Sequence, residues 1–552
     1  MPRGRDQRST MISHAYPTRS GDQALPPLIQ ALRDGSCFDH PTDGVTVLQT
    51  HISYVLLTGD FAYKIKKPVS LAFLDFSTLK DRKYYCQEEL RINRRLAPEL
   101  YLDVVSITGT PEAPVMNGQG RAIEYAVKMV QFPDADRLDR VADRGELNHS
   151  QIRSLAQSLA AFHEKVAIAE PNTPFADSVR LRREVMENFD ALSMQTLPEN
   201  EKLLLDDLRS WSTRSLVDLG GQFRARKRLG KIRECHGDMH LANMALVNNH
   251  ITIFDALEFN ENLRWIDVQS ELAFVAMDLE YHGLSGLGWL LVSFYLELTG
   301  DYTGLRVFHH YKVYRAMVRA KVAALRASQC EAESADAREA FAELSAHIRL
   351  ARACMDEEQP TPLIVTHGLS GSGKSRLAAQ LLQAMGAVCV RSDVERQHLM
   401  STGAIGIDDR YTSAAIDRTY RALAGHARTI IECGYPAIVD ASFLKRHHRM
   451  RFLELSRELG VPFMILSLHA PQPILEARIV KRQAEASDAS EATVDVLRQQ
   501  RETMDALDAE ERKRAMAVSS DTPADVPMIA RRLLGAGPTP QHRPLQAVRD
   551  EH

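Results

Sequence analysis

Val45–Leu57 and Phe61–Lys67 are strand-like runs rich in apolar and β-branched residues, with Thr58-Gly59-Asp60 between them and period-two alternation at Tyr63-Lys64-Ile65-Lys66. Successive side chains of a strand point to opposite faces, so this stretch predicts a two-strand hairpin closed by Pro68. Within it, Lys64 and Lys66 share one face and Lys67 takes the other. Apolar positions then recur at helical spacing over Leu79–Leu96, which carries Glu88 and Glu89. Ile123–Phe132 reads as a further strand, leading through Pro133 to a helix over Ser150–Lys165, with a cleft expected near Phe132–Asp136. Pro171–Arg233, Asp267–Tyr281 and Tyr311–Ser328 are helical in pattern. The apolar run Leu287–Leu296 is too short to cross a bilayer and predicts a core helix.

Past Pro362 the pattern changes. Short apolar runs at Leu363–Thr366, Ala387–Val390, Ala437–Val439 and Phe463–Leu468 alternate with helical segments, as in a parallel sheet covered by helices. The expected organisation is a polar tail over 1–26, a domain of strands then helices over 27–350, and a linker over 351–362. An α/β domain over 363–534 and a Pro-rich tail over 535–552 complete it. Met11 is an alternative start to Met1. The charged helical stretch Glu331–Glu358 and Gln359-Pro-Thr-Pro362 separate the two domains.

Composition narrows the class. Of 552 residues 44% are hydrophobic and 25% charged, and the formal net charge of −4 leaves no overall nucleic-acid or membrane footprint. Seven scattered cysteines without a C-x-x-C pair suit reduced thiols in a cytoplasm, not a disulfide framework or zinc site.

The strongest chemical signal is Gly368-Leu-Ser-Gly-Ser-Gly-Lys374-Ser375, set between an apolar run and a helical segment. Glycines at 368, 371 and 373 let successive backbone N–H groups turn around phosphate oxygens. Lys374 would reach the β- and γ-phosphates of ATP, and the Ser375 hydroxyl would ligate Mg²⁺. Carboxylates at the carboxyl ends of the next strands add to this: Asp440 as a ligand of Mg²⁺ or its water, and Asp393 as the base for an acceptor hydroxyl. A helix N-cap is the competing role for Asp393. Arg396 is placed for an anionic acceptor, while Arg478 and Arg482, four apart, lead into Ala486–Glu491 as a lid over the phosphates. Surface charge is the alternative for that pair.

A second constellation lies upstream. Cys235-His236-Gly-Asp238-Met-His240-Leu-Ala-Asn243 is followed by Ile251-Thr-Ile-Phe-Asp255, an apolar strand ending in a carboxylate. Phosphoryl transfer needs a base at the acceptor and oxygen ligands for Mg²⁺, here Asp238 with Asn243 and Asp255. A metal cluster of His236, Asp238 and His240 lacks the spacing that puts three ligands on one face. Lys64 held by Glu89 would grip the α- and β-phosphates. Lys312, Arg315 and Arg319 share a helical face that reads as solvated, with an acceptor site for an anionic substrate as the alternative. Lys445–Arg449 reads as a solvated helix start, with a grip on a nucleic-acid end as the alternative.

Residues 27–350 resemble the aminoglycoside phosphotransferase and choline kinase family through the H-G-D-x-H-x-x-N box at 236–243 and the strand ending at Asp255, less specifically through Lys64 and Glu89. The likeness implies an α+β, protein-kinase-like two-lobed fold acting on a small-molecule hydroxyl with ATP. The segment departs from protein kinases in having Thr58-Gly59-Asp60 in place of G-x-G-x-x-G, and no A-P-E segment. Residues 361–535 resemble small P-loop kinases such as polynucleotide kinase, gluconate kinase and zeta toxins, through the phosphate loop, Ser392-Asp393-x-x-Arg396, Asp440 and the Arg478/Arg482 pair. That likeness implies an α/β P-loop kinase domain acting on a hydroxylated acceptor or a nucleic-acid end. The alternative for the first domain is a catalytically silent lobe that senses a ligand and regulates the second.

Overall fold

The computed structural model describes residues 25–42, 44–71, 74–331, 333–355, 360–406, 409, 412–485 and 493–535. The tails expected at 1–26 and 535–552 (apart from residues 25, 26 and 535), the Ala486–Glu491 lid and part of the 351–362 linker lie outside them. Compactness divides the chain into two units, Met1–His282 with His310–Arg352, and Gly283–His309 with Ala353–His552. The segment Gly283–His309 therefore groups with the carboxyl-terminal unit, although its sequence position falls inside the expected first domain.

The first unit begins with a six-stranded antiparallel sheet in the order Thr46–Gln49, Ser53–Leu57, Phe61–Lys66, Glu124–Val130, Tyr101–Thr110, Ala113–Met116. The single strand expected over Val45–Leu57 is broken. Ser53 N–H donates to Thr50 Oγ1 at 3.0 Å, and Thr50 N–H to Ser53 O at 2.9 Å, which turns the chain at His51. The helix Leu79–Asn93 starts at Thr78, whose side chain accepts from Asp81 N–H. Its buried positions Arg82, Cys86, Glu89 and Asn93 recur at three- and four-residue spacing, so one face, Glu89 included, turns inward. Helices over His149–Lys165, Ser178–Ser193, Glu199–Asp218 and Val268–Tyr281 build the second lobe. A core of Val55, Ala62, Cys86, Tyr101, Val127, Phe132, Ala245 and Phe254 joins the sheet lobe to the loop-bearing hairpin of the helical lobe.

The second unit holds a five-stranded parallel sheet in the order Val388–Arg391, Ala437–Asp440, Leu363–His367, Phe463–His469, Ala515–Ser519. The three inner strands are continuously or largely apolar, as a sheet covered on both faces requires. The helix Ser285–Thr299 covers this unit: Cys389 N–H donates to Ser293 Oγ at 3.2 Å, and the helix packs against Lys374–Met385. The apolar run Leu287–Leu296 is thus a core helix of the second unit.

Candidate active sites

In the first unit Lys64 and Glu89 meet Asp255. Lys64 Nζ lies 2.8 Å from Glu89 Oε1 and 2.7 Å from Asp255 Oδ1, all three side chains at most 1% exposed. Burial works against the Lys64 charge, but Asp255 and Glu89 outweigh it and hold its pKa well above the ordinary value. Burial likewise opposes ionised Glu89, and Lys64 and Lys66 reverse that, leaving its pKa lowered. Asp255 sits just beyond the strand His250–Ile253 at φ 67°, a left-handed conformation that Asp tolerates better than most residues. Tyr101 Oη accepts from its N–H at 3.1 Å, and Asn93 Oδ1 from Ala256 N–H at 2.8 Å, so the turn is pinned on both sides.

The loop carrying Asp238 is held from behind. His236 Nε2 donates to Phe254 O at 2.8 Å, and its Nδ1 accepts from Asp238 N–H at 3.3 Å, which ties the loop to the segment leading into Asp255 through one imidazole ring. Glu271 Oε1 accepts from the N–H groups of His236 and Gly237, each at 2.8 Å, and Asp278 Oδ2 from Leu241 N–H at 2.7 Å. Arg315 Nη1 donates to Gly237 O at 3.0 Å, and Arg319 Nη1 to His240 Nε2 at 3.3 Å. The face of Lys312, Arg315 and Arg319 is therefore buried and not solvated; Lys312 pairs with Glu280 at 2.8 Å and Arg319 with Glu343 at 2.9 Å. These carboxylates supply the counter-charge that burial demands.

Asp238 itself is partly exposed, with its Oδ2 accepting from Asn243 Nδ2 at 3.1 Å. Asn243 Oδ1 is buried and has no hydrogen-bond partner among the described residues. An oxygen left over in this way fits a hard cation such as Mg²⁺, and the Asn243 backbone carbonyl accepts from Phe254 N–H at 3.0 Å, next to the turn that carries Asp255. The His236, Asp238, His240 cluster is not a metal site: His236 uses both ring nitrogens within the fold.

In the second unit the phosphate loop takes the shape its glycines permit. Gly368, Gly371 and Gly373 have φ of 144°, 79° and 85°. A Cβ at Gly371 would stand 2.7 Å from Leu475 O, and one at Gly368 2.4 Å from Leu468 O. Lys374 Nζ donates to the Gly368 and Leu369 carbonyls at 2.9 Å each, poised over the loop it belongs to. A cavity of about 970 Å³ opens here, lined by Gly371, Lys374, Ser375, Asp393, Arg396, Asp440 and Arg478 among others. Thr366 Oγ1 donates to Ala441 O at 2.7 Å and accepts from Ala441 N–H at 3.1 Å, fixing the strand end at Asp440.

Asp393 is the second residue of the helix Ser392–Ser401, whose N-cap position belongs to Arg391 without a side-chain cap. The capping role is thereby removed; the carboxylate faces the cavity and pairs with Arg396 Nη1 at 3.1 Å. Arg478 is no solvated charge. Its Nη1 donates to Gly371 O at 3.2 Å and Ser520 Oγ at 2.9 Å, joining the phosphate loop to the loop after the fifth strand. The Arg482 side chain, and with it that half of the lid pair, lies outside the described residues. The basic run begins a helix at Arg446 as expected, with Lys445 and Arg446 exposed and paired to Asp505 at 3.4 Å and Asp508 at 3.0 Å; only its end departs, Arg449 being buried against Glu511 at 2.7 Å.

The fold joins a unit of antiparallel sheet and helices to an α/β unit whose parallel sheet carries the phosphate loop. The AAA domain family matches residues 363–507. Across its length the chain is similar to the uncharacterized protein Rv2004c of Mycobacterium tuberculosis, 29% identical over 471 residues, covering 83% of this chain and 91% of that protein. Uncharacterized protein Mb2027c of Mycobacterium bovis matches with the same figures. Among solved structures, a gluconokinase from Sinorhizobium meliloti 1021 is 25% identical, covering 32% of this chain and 90% of that chain at a TM-score of 0.23. A choline/ethanolamine kinase family protein from Mesorhizobium loti is 12% identical, covering 59% and 99% at a TM-score of 0.36. Among the described residues no helix is long and apolar enough to cross a membrane.

Proposed function

We propose that this protein is a cytoplasmic, ATP-dependent phosphotransferase with two nucleotide sites, one in each unit. The first acts on a small-molecule hydroxyl and the second on another small hydroxylated acceptor. The observation that carries this reading is the meeting of Lys64, Glu89 and Asp255, up to 191 positions apart, in one chain with a complete phosphate loop. In the first unit Asp238 takes the proton of the acceptor hydroxyl as its oxygen bonds to the γ-phosphorus. The bond from that phosphorus to the β,γ-bridging oxygen breaks, and ADP keeps the electron pair. Lys64 orients the α- and β-phosphates, and Asn243 with Asp255 would hold Mg²⁺. When bound, Mg²⁺ neutralises phosphate charge in both units. In the second unit Lys374 and the loop N–H groups receive the phosphates, with Ser375 and Asp440 on the metal side and Arg478 at the nucleotide. Asp393 is the base, and Arg396 steadies both it and an anionic acceptor. The ion pairs that engage Lys445, Arg446 and Arg449 favour a small acceptor over a nucleic-acid end. Seven free thiols, Cys86 and Cys389 packed in or against the two sheets, suit a reducing compartment.

A silent, ligand-sensing first unit is the second reading, favoured by the 2.7 Å contact that commits Lys64 to Asp255. Calorimetric titration with a non-hydrolysable ATP analogue and Mg²⁺ separates the two. Two nucleotide sites give two equivalents for the wild type, one each for Lys374→Ala and Asp255→Ala, and none for the double variant. One equivalent, abolished by Lys374→Ala and untouched by Asp255→Ala, would refute the two-site reading.

A further inference from the structure

Two residues along the strand from Lys64, a second lysine is equally buried and has no part in the phosphate chemistry above. Lys66 Nζ lies 2.7 Å from Glu89 Oε2, pairs with Glu258 Oε1, and stands 5.0 Å from the centre of the Phe76 ring. Glu89 is therefore divided between two cations, with Oε1 at 2.8 Å from Lys64 and Oε2 on Lys66. Glu258 follows Asp255 on the same loop, and Arg264 Nη1 holds the Glu258 carbonyl at 3.1 Å. Arg264 in turn pairs with Glu234 at 3.1 Å, and Glu234 takes Arg91 at 2.8 Å and Arg95 at 3.0 Å from the Glu89 helix and its end. The Glu89 helix is thus tied twice to the loop region of the helical lobe, through Lys66–Glu258 inside and through Glu234 nearer the surface.

We infer that Lys66 is a positioning residue, which keeps Glu89 neutralised and its helix in place while Lys64 exchanges Asp255 for the nucleotide phosphates. The inference rests on the nucleotide-site reading of the first unit. Its logic is electrostatic. Lys64 is shared between Glu89 and Asp255, so any turn of its ammonium toward phosphate weakens what Glu89 receives at Oε1. A buried carboxylate left with too little positive charge is strongly unfavourable, and relaxes by pulling the lysine back or moving its helix. The ion pairs of Lys66 are with Glu89 Oε2 and Glu258 Oε1, so it holds Glu89 by the oxygen that Lys64 does not use. Glu258 anchors Lys66 from the opposite side. A single lysine between Glu89 and Asp255 would have to serve helix and phosphates at once; two lysines separate these tasks.

The test uses the full chain carrying Lys374→Ala, so that calorimetry with Mg²⁺ and a non-hydrolysable ATP analogue reads only the first unit. Lys66→Met should weaken analogue binding roughly tenfold, yet change it by less than about twofold once Lys64 is already Met, because contacts in one network are not additive. A merely structural lysine would give the same loss in both backgrounds, and that outcome overturns the inference. Should Lys66→Met fold poorly, Lys66→Met/Glu258→Gln removes one cation and one carboxylate together; the same dependence on Lys64 is expected, and wild-type affinity in this variant overturns it. Absence of any analogue binding in the Lys374→Ala protein itself would refute the nucleotide-site reading, and this inference with it.

Discussion

Glu271 is the residue from which the Asp238 loop hangs, so replacing it tests how that loop is built. Its Oε1 takes the N–H groups of His236 and Gly237 at 2.8 Å, and its Oε2 faces His163 Nε2 at 2.9 Å. Burial raises its pKa, but the His163 hydrogen bond and charge outweigh burial, and the net shift is downward: the fold prefers the carboxylate. Glu271→Gln keeps the shape and removes the charge. A hydrogen bond to a charged group contributes about 1.5–3 kcal/mol and a neutral one about 0.5–1.5 kcal/mol, so each of these bonds loses about 1 kcal/mol. Over the two backbone bonds the expected loss is about 2 kcal/mol, and the amide NH2 that replaces Oε2 no longer accepts from His163, which adds to it. Glu271→Ala goes further, leaving two buried N–H groups unsatisfied at about 1–3 kcal/mol each, about 2–6 kcal/mol together, and losing the His163 bond besides. Urea unfolding followed by tryptophan fluorescence measures both, since Trp211 and Trp265 lie in the first unit. Weaker binding of an ATP analogue to the first unit should accompany the stability loss, because the same loop carries Asn243. A Gln variant with the wild-type midpoint, or an Ala variant no worse than Gln, would refute the proposed suspension of the loop.

In the second unit Asp393→Asn should leave ATP-analogue affinity nearly unchanged while kcat falls by roughly 10² or more, the mark of a lost general base; near-normal turnover of the purified variant excludes that role. Arg449→Met strands the buried Glu511 carboxylate and should cost about 3–5 kcal/mol in thermal or urea unfolding, most of it recovered by Arg449→Met/Glu511→Met; equal losses in single and double variants would contradict this. Burial pushes Glu184 up to about 7 against Arg315, Arg180 and Arg183, from an ordinary 4.5. The folded state therefore binds this proton more tightly than the unfolded chain, and stability falls as pH rises from about 4.5 to about 7. Glu184→Gln should match the wild type near pH 4 and exceed it at pH 8 by up to ~3 kcal/mol, read from unfolding curves across that range; parallel pH profiles would rule it out.

What the sequence discloses follows from how far apart the interacting groups lie along the chain. The phosphate loop is contiguous, and its glycines, lysine and serine declare themselves together. Asp238, Asn243 and Asp255 fall within a short window, so their spacing carries the signal even without the fold. Lys64 and Glu89 are legible as candidates, but the third member of their cluster is 191 positions from Lys64. Arg315 and Arg319 reach the loop from 78 and 79 positions away, and a run of charges at helical spacing ordinarily faces water. Nothing local distinguishes this helix from a solvated one; only its carboxylate partners on other elements do. The fifth strand, Ala515–Ser519, escaped for a different reason, since its mixed burial lacks the continuous apolar run of the inner strands. The break in Val45–Leu57 turns on a threonine hydroxyl competing for a backbone N–H, which a strand-like run of residues does not register.

The two candidate sites therefore reach the same end by opposite means. The P-loop site is shaped by backbone: glycine φ values, the carbonyl contacts of Lys374 and a helix N-terminus place donors where phosphate would lie, and side chains finish the job. The site of the first unit is shaped by buried charge, with Lys64, Lys66, Glu89, Asp255 and Glu258 in one network and Glu271, Asp278, Arg315 and Arg319 behind the Asp238 loop. Backbone geometry is written in a few adjacent residues and survives the loss of distant ones. A charge network is written across the whole unit, because each buried ion is tolerable only while its partner is present. Sequence drift should accordingly be absorbed differently: around the P-loop site by single substitutions of side chains outside the loop and the cavity lining, and in the site of the first unit by paired changes that keep each buried cation with its carboxylate.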